Sequence, residues 1–318
     1  MRLNLLHLDD ALLGQSRFRA AASELGAREI DLSTIGPDIR LWATRESMQA
    51  LRSQLAGALQ DLERSGPLVT WMGSGDFHHV SGVLASMLAQ ARRDPITIVQ
   101  FDNHPDWVAS QDATHCGSWV KQVIDDDLVE RVVGLGMTSS DISWPEIKRA
   151  GLAHVASGRI VMFPLAPAQS FVWRDYGRGP GHDQDGHRLI WKGIAATFND
   201  DSAAIVLSSI KTPAIYVSID KDVLDQGDAD TNWDQGRMRL SDLLAWLKAL
   251  AKSHQIIGLD VVGDRSSPRF GGPILSRFLK RSEILIDQPW RNSPGGAGAG
   301  INETTNLAIL EVLRTMMC

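Results

Sequence analysis

The chain has 318 residues, with 32 Lys and Arg against 38 Asp and Glu, for a formal charge of −6. That length buries a sizeable core without metal or disulfide staples, and a mild acidic balance with no basic cluster argues against a nucleic-acid surface. No apolar stretch reaches the ~18 residues of a membrane helix, and the N-terminal run MRLNLLHLDDALLG is broken by Asn4, His7, Asp9 and Asp10, so neither a membrane protein nor a signal peptide is expected.

In chain order, a helix-like stretch over 45–64 leads to an apolar strand at 67–72, and a second over 78–93 to a strand at 97–102. A helix over 117–125 precedes strands at 131–136 and 159–163. Residues 166–196 carry Pro, Gly, Asp and His without periodicity and read as a long loop. A strand at 214–220, a helix over 241–253 and a strand at 256–262 follow. Residues 287–301 read as a second loop, and 303–316 as a last helix. Several strands are apolar throughout rather than alternating, the pattern of strands covered on both faces. The chain is therefore expected to be α/β, a single-domain three-layer α/β/α unit over 1–318 with a mostly parallel sheet. The only two cysteines, Cys116 and Cys318, allow at most one disulfide, and a cytoplasmic location is expected.

Ligands in open α/β sheets bind beyond the carboxyl ends of the strands. Here those ends deliver acids and imidazoles together. Gly73-Ser74-Gly75-Asp76-Phe77-His78-His79 follows the first run, and Asp102-Asn103-His104-Pro105-Asp106 the second. Ser218-Ile219-Asp220-Lys221-Asp222 ends another, and Asp260-Val261-Val262-Gly263-Asp264 the last. Asp102, His104 and Asp106 stand at i, i+2 and i+4, as do Asp220 and Asp222 at i and i+2. In an extended segment such residues share a face. Four carboxylates meeting at one place repel one another and cannot all ionise unaided. Two divalent cations balance the four charges, and an oxygen-rich set with histidines suits Mn²⁺ better than a thiolate-preferring metal. Cys116 beside His115 looks like a nucleophile pair, but neighbours in an extended segment face opposite ways.

These residues resemble the ureohydrolases, the family of arginase, agmatinase and formiminoglutamase. The likeness rests on Gly75-Asp76-Phe77-His78, on Asp102-x-His104-x-Asp106 and on Ser218-x-Asp220-x-Asp222-x-x-Asp225, in that order. It implies an arginase/deacetylase-like fold, two Mn²⁺ per chain and hydrolysis of a C–N bond in a linear amidine or guanidine by a hydroxide held between the metals. Asp102 and Asp220 would bridge, His78 and Asp106 would complete one metal, and His104 and Asp222 the other. His115 would shuttle a proton. Small-molecule substrates and a homo-oligomer are implied as well. The sequence departs from the pattern in three places. Phe77 separates Asp76 from His78, leaving His78 or His79 as the ligand. Gln226 stands where the family has Pro. Gly263 stands where the family has the glutamate that holds the guanidinium, so either Asp264 binds substrate instead or the gap left at Gly263, beside Trp107 and Trp233, takes a bulkier or less basic substrate. Two other readings follow. A zinc deacetylase-like amidohydrolase would use His78 and His79 as a tandem acid–base pair, and a non-catalytic member would keep the metals for stability.

Overall fold

The computed structural model describes residues 1–59, 62, 66–110, 112–288 and 298–317. The chain runs through β1 (Arg2–His7), α1 (Ser16–Glu24), β2 (Arg28–Asp31), α2 (Gly36–Ile39), β3 (Trp42–Thr44), α3 (Arg45–Ala58), β4 (Leu68–Gly73), α4 (His79–Arg92), β5 (Ile96–Phe101) and β6 (Ala113–His115). It continues with α5 (Trp119–Val123), β7 (Val129–Leu135), α6 (Leu152–Ala156), β8 (Ile160–Phe163), β9 (Ala168–Phe171), β10 (His182–Asp185) and β11 (Arg188–Trp191). The last elements are α7 (Asp200–Ser209), β12 (Ala214–Asp220), α8 (Leu240–Ser253), β13 (Gln255–Val262), α9 (Ile274–Asp287) and α10 (Gly298–Met317).

Eight strands form one sheet in the order β2-β1-β4-β13-β12-β5-β7-β8, and every pairing in it is parallel. The central strands β4, β5 and β12 are buried at every residue, which is why their sequences are apolar on both faces. Each face has its own core. Leu51, Leu55, Val80, Leu84 and Trp119 from α3, α4 and α5 pack on one side, and Phe18, Val206, Leu243, Trp246 and Leu313 from α1, α7, α8 and α10 on the other. Local signals set the helix ends. Thr44 caps α3 by accepting the Ser47 amide at 3.2 Å, and Asn199 caps α7 by accepting that of Ser202 at 2.9 Å.

The strands expected at 67–72, 97–102, 131–136, 159–163, 214–220 and 256–262 all form, shifted by at most two residues. The helix expected over 45–64 ends its regular turn at Ala58, and part of its remaining span lies outside the described residues. The stretch 166–196 is not a bare loop. It carries the antiparallel sheet β10-β11-β9, whose hairpin turns on Gly186 at φ 53° between Asp185 and Arg188. Strands of four residues are too short to show a period, but Asp185-Gly186 is itself a hairpin signal. Of the expected loop at 287–301, residues 298–301 are already in α10, and 289–297 lie outside the described residues. The outer elements β1, α1, β2 and α7 carry too weak a periodicity to stand out in the sequence. In α9 the usual pattern is inverted: Lys280 and Ile284 face inward while Ile274, Leu275, Phe278 and Ile286 are exposed. Lys280 stays inside because its Nζ donates to the Asp38 carbonyl at 2.8 Å and lies 4.5 Å from the centre of the Trp42 ring. Among the described residues no helix is long and apolar enough to cross a membrane.

Candidate metal centre

Strand register brings the acids together. Ile219 of β12 pairs with Phe101 of β5, so the next residues, Asp220 and Asp102, lie side by side. The segments beyond are not extended, contrary to the spacing argument. After Asp102 the chain bends, with the His104 amide donating to Asp102 Oδ1 at 2.7 Å. After Asp220 it makes a single 3₁₀ turn, Lys221–Val223, with the Asp222 amide donating to Asp220 Oδ1 at 3.0 Å. Aspartate side chains favour such turns because they hydrogen-bond their own backbone two residues on. The convergence survives because the turns bring the acids inward. Asp106 takes φ 47°, a left-handed conformation that Asp tolerates better than most residues. The third segment is a 3₁₀ turn over Gly75–Phe77, capped by Ser74, that delivers His78.

Two ligand groups result. His78 Nδ1 lies 3.1 Å from Asp102 Oδ2, 3.0 Å from Asp106 Oδ2 and 3.6 Å from Asp220 Oδ2. His104 Nδ1 lies 2.9 Å from Asp222 Oδ2 and 3.6 Å from Asp102 Oδ1. Within each of the sets His78/Asp102/Asp106 and Asp102/His104/Asp222, ligand atoms fall within 4.8 Å of one another, and Asp102 belongs to both. Asp102, Asp106, Asp220 and Asp222 are buried. Burial, reinforced by the neighbouring carboxylates, pushes the Asp106, Asp220 and Asp222 carboxyls above the ordinary range. Burial also opposes charge on Asp102, but hydrogen bonds from His104 and His78 outweigh it and hold the group down. Bound cations would relieve such repulsion between buried acids, and the donor set, carboxylate oxygens plus two imidazole nitrogens, could hold metal ions.

The other imidazole nitrogens are also held. His78 Nε2 meets Ser218 Oγ at 2.9 Å, and that hydroxyl donates to Asp260 Oδ1 at 3.0 Å. His104 Nε2 meets Asp234 Oδ1 at 2.8 Å. Such outer partners fix the ring orientation that presents Nδ1 to the centre. Trp119 Nε1 donates to Asp106 Oδ2 at 2.7 Å, and Gln100 Nε2 to Asp102 Oδ2 at 2.5 Å. Sequence reasoning missed Gln100, Trp119, Asp234 and Glu283. Only Gln100 carries a signal, being a polar residue two before Asp102 on a strand that is otherwise apolar.

The centre floors a cavity of about 440 Å³ that His115, Cys116, Ser139, Lys148, Trp233 and Asp287 also line. His115 Nδ1 accepts the Gly117 amide at 2.8 Å, and its Nε2 lies 2.5 Å from Glu283 Oε1 of α9. The proton therefore sits on Nε2, shared with Glu283. Cys116 opens a 3₁₀ turn, so it lines the same cavity as His115 rather than facing away, with Sγ 3.7 Å from His115 Nδ1. Burial and the acids Asp106, Asp76 and Glu283 push its thiol well up, leaving it a protonated, poor nucleophile.

Other expectations change. His79 opens α4 and does not line the cavity, whereas His78 joins the cluster. Asp264 does not line it either. Its carboxylate neutralises the buried Lys221 at 2.5 Å and accepts from Gln15 Nε2 at 2.9 Å. Gly263 leaves no gap. A Cβ there would lie 2.5 Å from Asp220 Oδ1 and 2.6 Å from the Lys221 nitrogen, and its φ is 97°. Trp107 is buried against Trp191 and is not part of the cavity wall, while Trp233 lines it with its ring 5.9 Å from that of His104. Asp76 is a hub rather than a ligand, accepting from Arg40 Nε at 2.6 Å, Trp233 Nε1 at 2.9 Å and Gln288 Nε2 at 2.6 Å.

This architecture is the arginase-like α/β fold. An arginase from Entamoeba histolytica superposes with a TM-score of 0.57 at 10% identity, over 98% of this chain and 97% of that one. A formimidoylglutamase from Bacillus subtilis gives 0.56 at 16%, over 98% and 87%. The proclavaminate amidino hydrolase of Streptomyces clavuligerus gives 0.54 at 15%, over 99% and 91%. All are ureohydrolases, and at these identities the likeness is one of fold. No family model matches the chain. In sequence it is similar to an uncharacterised protein of Thermotoga maritima, 24% identical over 196 residues, which is 62% of this chain and 58% of that relative's length.

Proposed function

We propose that the protein is a binuclear manganese hydrolase that cleaves a C–N bond in a small linear amidine- or guanidine-type substrate. The observation that carries this reading is the Asp102 carboxylate, shared between two ligand groups that each contain a histidine and further acids. In this reading His78 and Asp106 would hold one ion, His104 and Asp222 the other, and Asp102 and Asp220 would serve both. Divalent cations bound there supply Lewis acidity and lower the pKa of water at the centre. The chain's own residues do the rest. Ser218 and Asp234 hold the two imidazoles in orientation, Trp119 and Gln100 hold the acids, and the His115–Glu283 pair holds a proton at Nε2 for the departing nitrogen. A cavity of about 440 Å³ suits a small molecule.

The position of His79 outside the cavity weighs against the tandem-histidine deacetylase reading. Elemental analysis of purified protein, paired with urea and ammonia release from a panel of guanidines, amidines and formimino compounds, tests the proposal. Two manganese per chain with release from a panel member is the expected result. One zinc per chain overturns the binuclear reading, and two manganese with no turnover favours a non-catalytic metal protein.

A further inference from the structure

An amidinium or guanidinium head is a planar cation, and at this centre it would enter beside bound divalent ions. A carboxylate must face it, since charge-assisted pairs are the strong ones. Neither expected position supplies one. The Cβ direction at Gly263 runs into Asp220, and Asp264 is spent on Lys221 away from the cavity. Among the described residues, three aspartates outside the ligand groups line the cavity: Asp141, Asp234 and Asp287. Asp141 is paired with Lys148. Asp287 ends α9, next to the exposed Ile286, and does not touch a ligand.

Asp234 differs from both. Its Oδ1 lies 2.8 Å from His104 Nε2, so it stands one side chain away from the centre. Asn103 Nδ2 donates to its Oδ2 at 3.1 Å and to its backbone carbonyl at 2.9 Å, pinning the rotamer from a second direction. Trp233, the residue before it, is anchored through Nε1 to Asp76 at 2.9 Å. Yet the Asp234 side chain is 47% exposed, and it lines the cavity. Each carboxylate oxygen keeps a second lone pair for an incoming N–H. We propose that Asp234 is the specificity-determining residue that pairs with the cationic head of the substrate, doing from the loop after β12 what no residue does at the end of β13. This rests on the hydrolase reading of the same centre and names the charge that it selects.

Asp234 also orients His104, so the test must separate charge recognition from positioning. Asp234→Asn keeps an oxygen acceptor for His104 Nε2 while removing the charge, and Asp234→Gln, which also keeps an amide oxygen, is a second variant should the first fail to fold. Manganese-loaded protein is titrated calorimetrically with butyramidine, which is cationic, and with butyramide, its neutral analogue, alongside metal analysis. Wild type should prefer the amidinium. Asp234→Asn should weaken amidinium binding roughly 10- to 100-fold, the scale of a hydrogen bond to a charged group, with amide binding and manganese content unchanged. Equal weakening of both probes, loss of manganese, unchanged amidinium binding, or no preference in wild type each overturns the inference. Turnover on the substrate panel is scored separately, so an inactive protein that still selects the amidinium through Asp234 refutes the hydrolase reading and leaves this one standing.

Discussion

The floor and the rim of the cavity are built differently. The floor comes from the ends of β5 and β12 and the turn before α4. Its carboxylates are buried, and neighbouring strands hold them in register. The rim comes from α9, the Trp233–Asp234 loop and the turn around His115, elements tied down by side-chain pairs such as His115–Glu283 and Asp234–Asn103 rather than by strand register. A centre that gathers four carboxylates needs fixed geometry, and a parallel sheet supplies it. A wall that selects among substrates can hang on loops and a peripheral helix.

That contrast predicts a graded series. The largest effect belongs to Asp102→Asn, which removes the one carboxylate common to both ligand groups. It should lose manganese from both sites and cost at least about 4 kcal/mol of transition-state stabilisation, roughly a thousandfold in kcat/KM. Metal analysis and steady-state rates check it, and full metal retention would break the claim that the floor is one shared unit. On the rim, His115→Ala should lower kcat by ~10²–10⁴-fold with manganese content intact. Metal loss there would move His115 into the floor. Ser218→Ala lies beneath the floor and should weaken manganese binding by roughly 10- to 100-fold, the usual cost of removing an outer partner of a ligating histidine, as read by metal-buffer titration.

The smallest effect concerns His79, behind the floor. Burial, reinforced by the Lys280 ammonium, lowers its imidazole to about 3. The unfolded chain binds a proton near pH 6.5 and the folded chain does not. This histidine's contribution is therefore complete above pH 6.5 and is lost as pH falls toward 3. Relative to wild type, His79→Leu should gain about 2 kcal/mol between pH 7.5 and pH 5, from 1.5 pH units at 1.36 kcal/mol each. Urea unfolding at both pH values measures it, and a pH-independent difference would show that His79 takes up protons in the folded state.

The same division explains what could be read in the sequence. The floor was legible because apolar runs mark buried parallel strands and acids clustered at their ends, even though the segments beyond turned out to be turns rather than extended chain. Asp264 misleads because nothing in its own segment shows that its carboxylate is taken up by Lys221 from the turn after β12. Glu283 is invisible because α9 faces its apolar residues outward, so its periodicity assigns the core to the opposite side. Asp234 sits in Thr231-Asn232-Trp233-Asp234-Gln235-Gly236, a stretch whose composition marks a loop and nothing more.

One arrangement bears on how the chain comes to be folded at all. Asn306, in α10, accepts from Trp71 Nε1 and Lys221 Nζ, each at 3.1 Å, and donates to Gln15 Oε1 at 2.7 Å. Glu303 of the same helix accepts from Arg17 Nε at 2.7 Å. One helix thus joins polar groups from β4, the start of α1 and the turn after β12, contacts that span most of the sequence. Contacts between distant segments are slow to form because the loops between them must close first, so the buried ammonium of Lys221 gains its amide partner only once those segments have met.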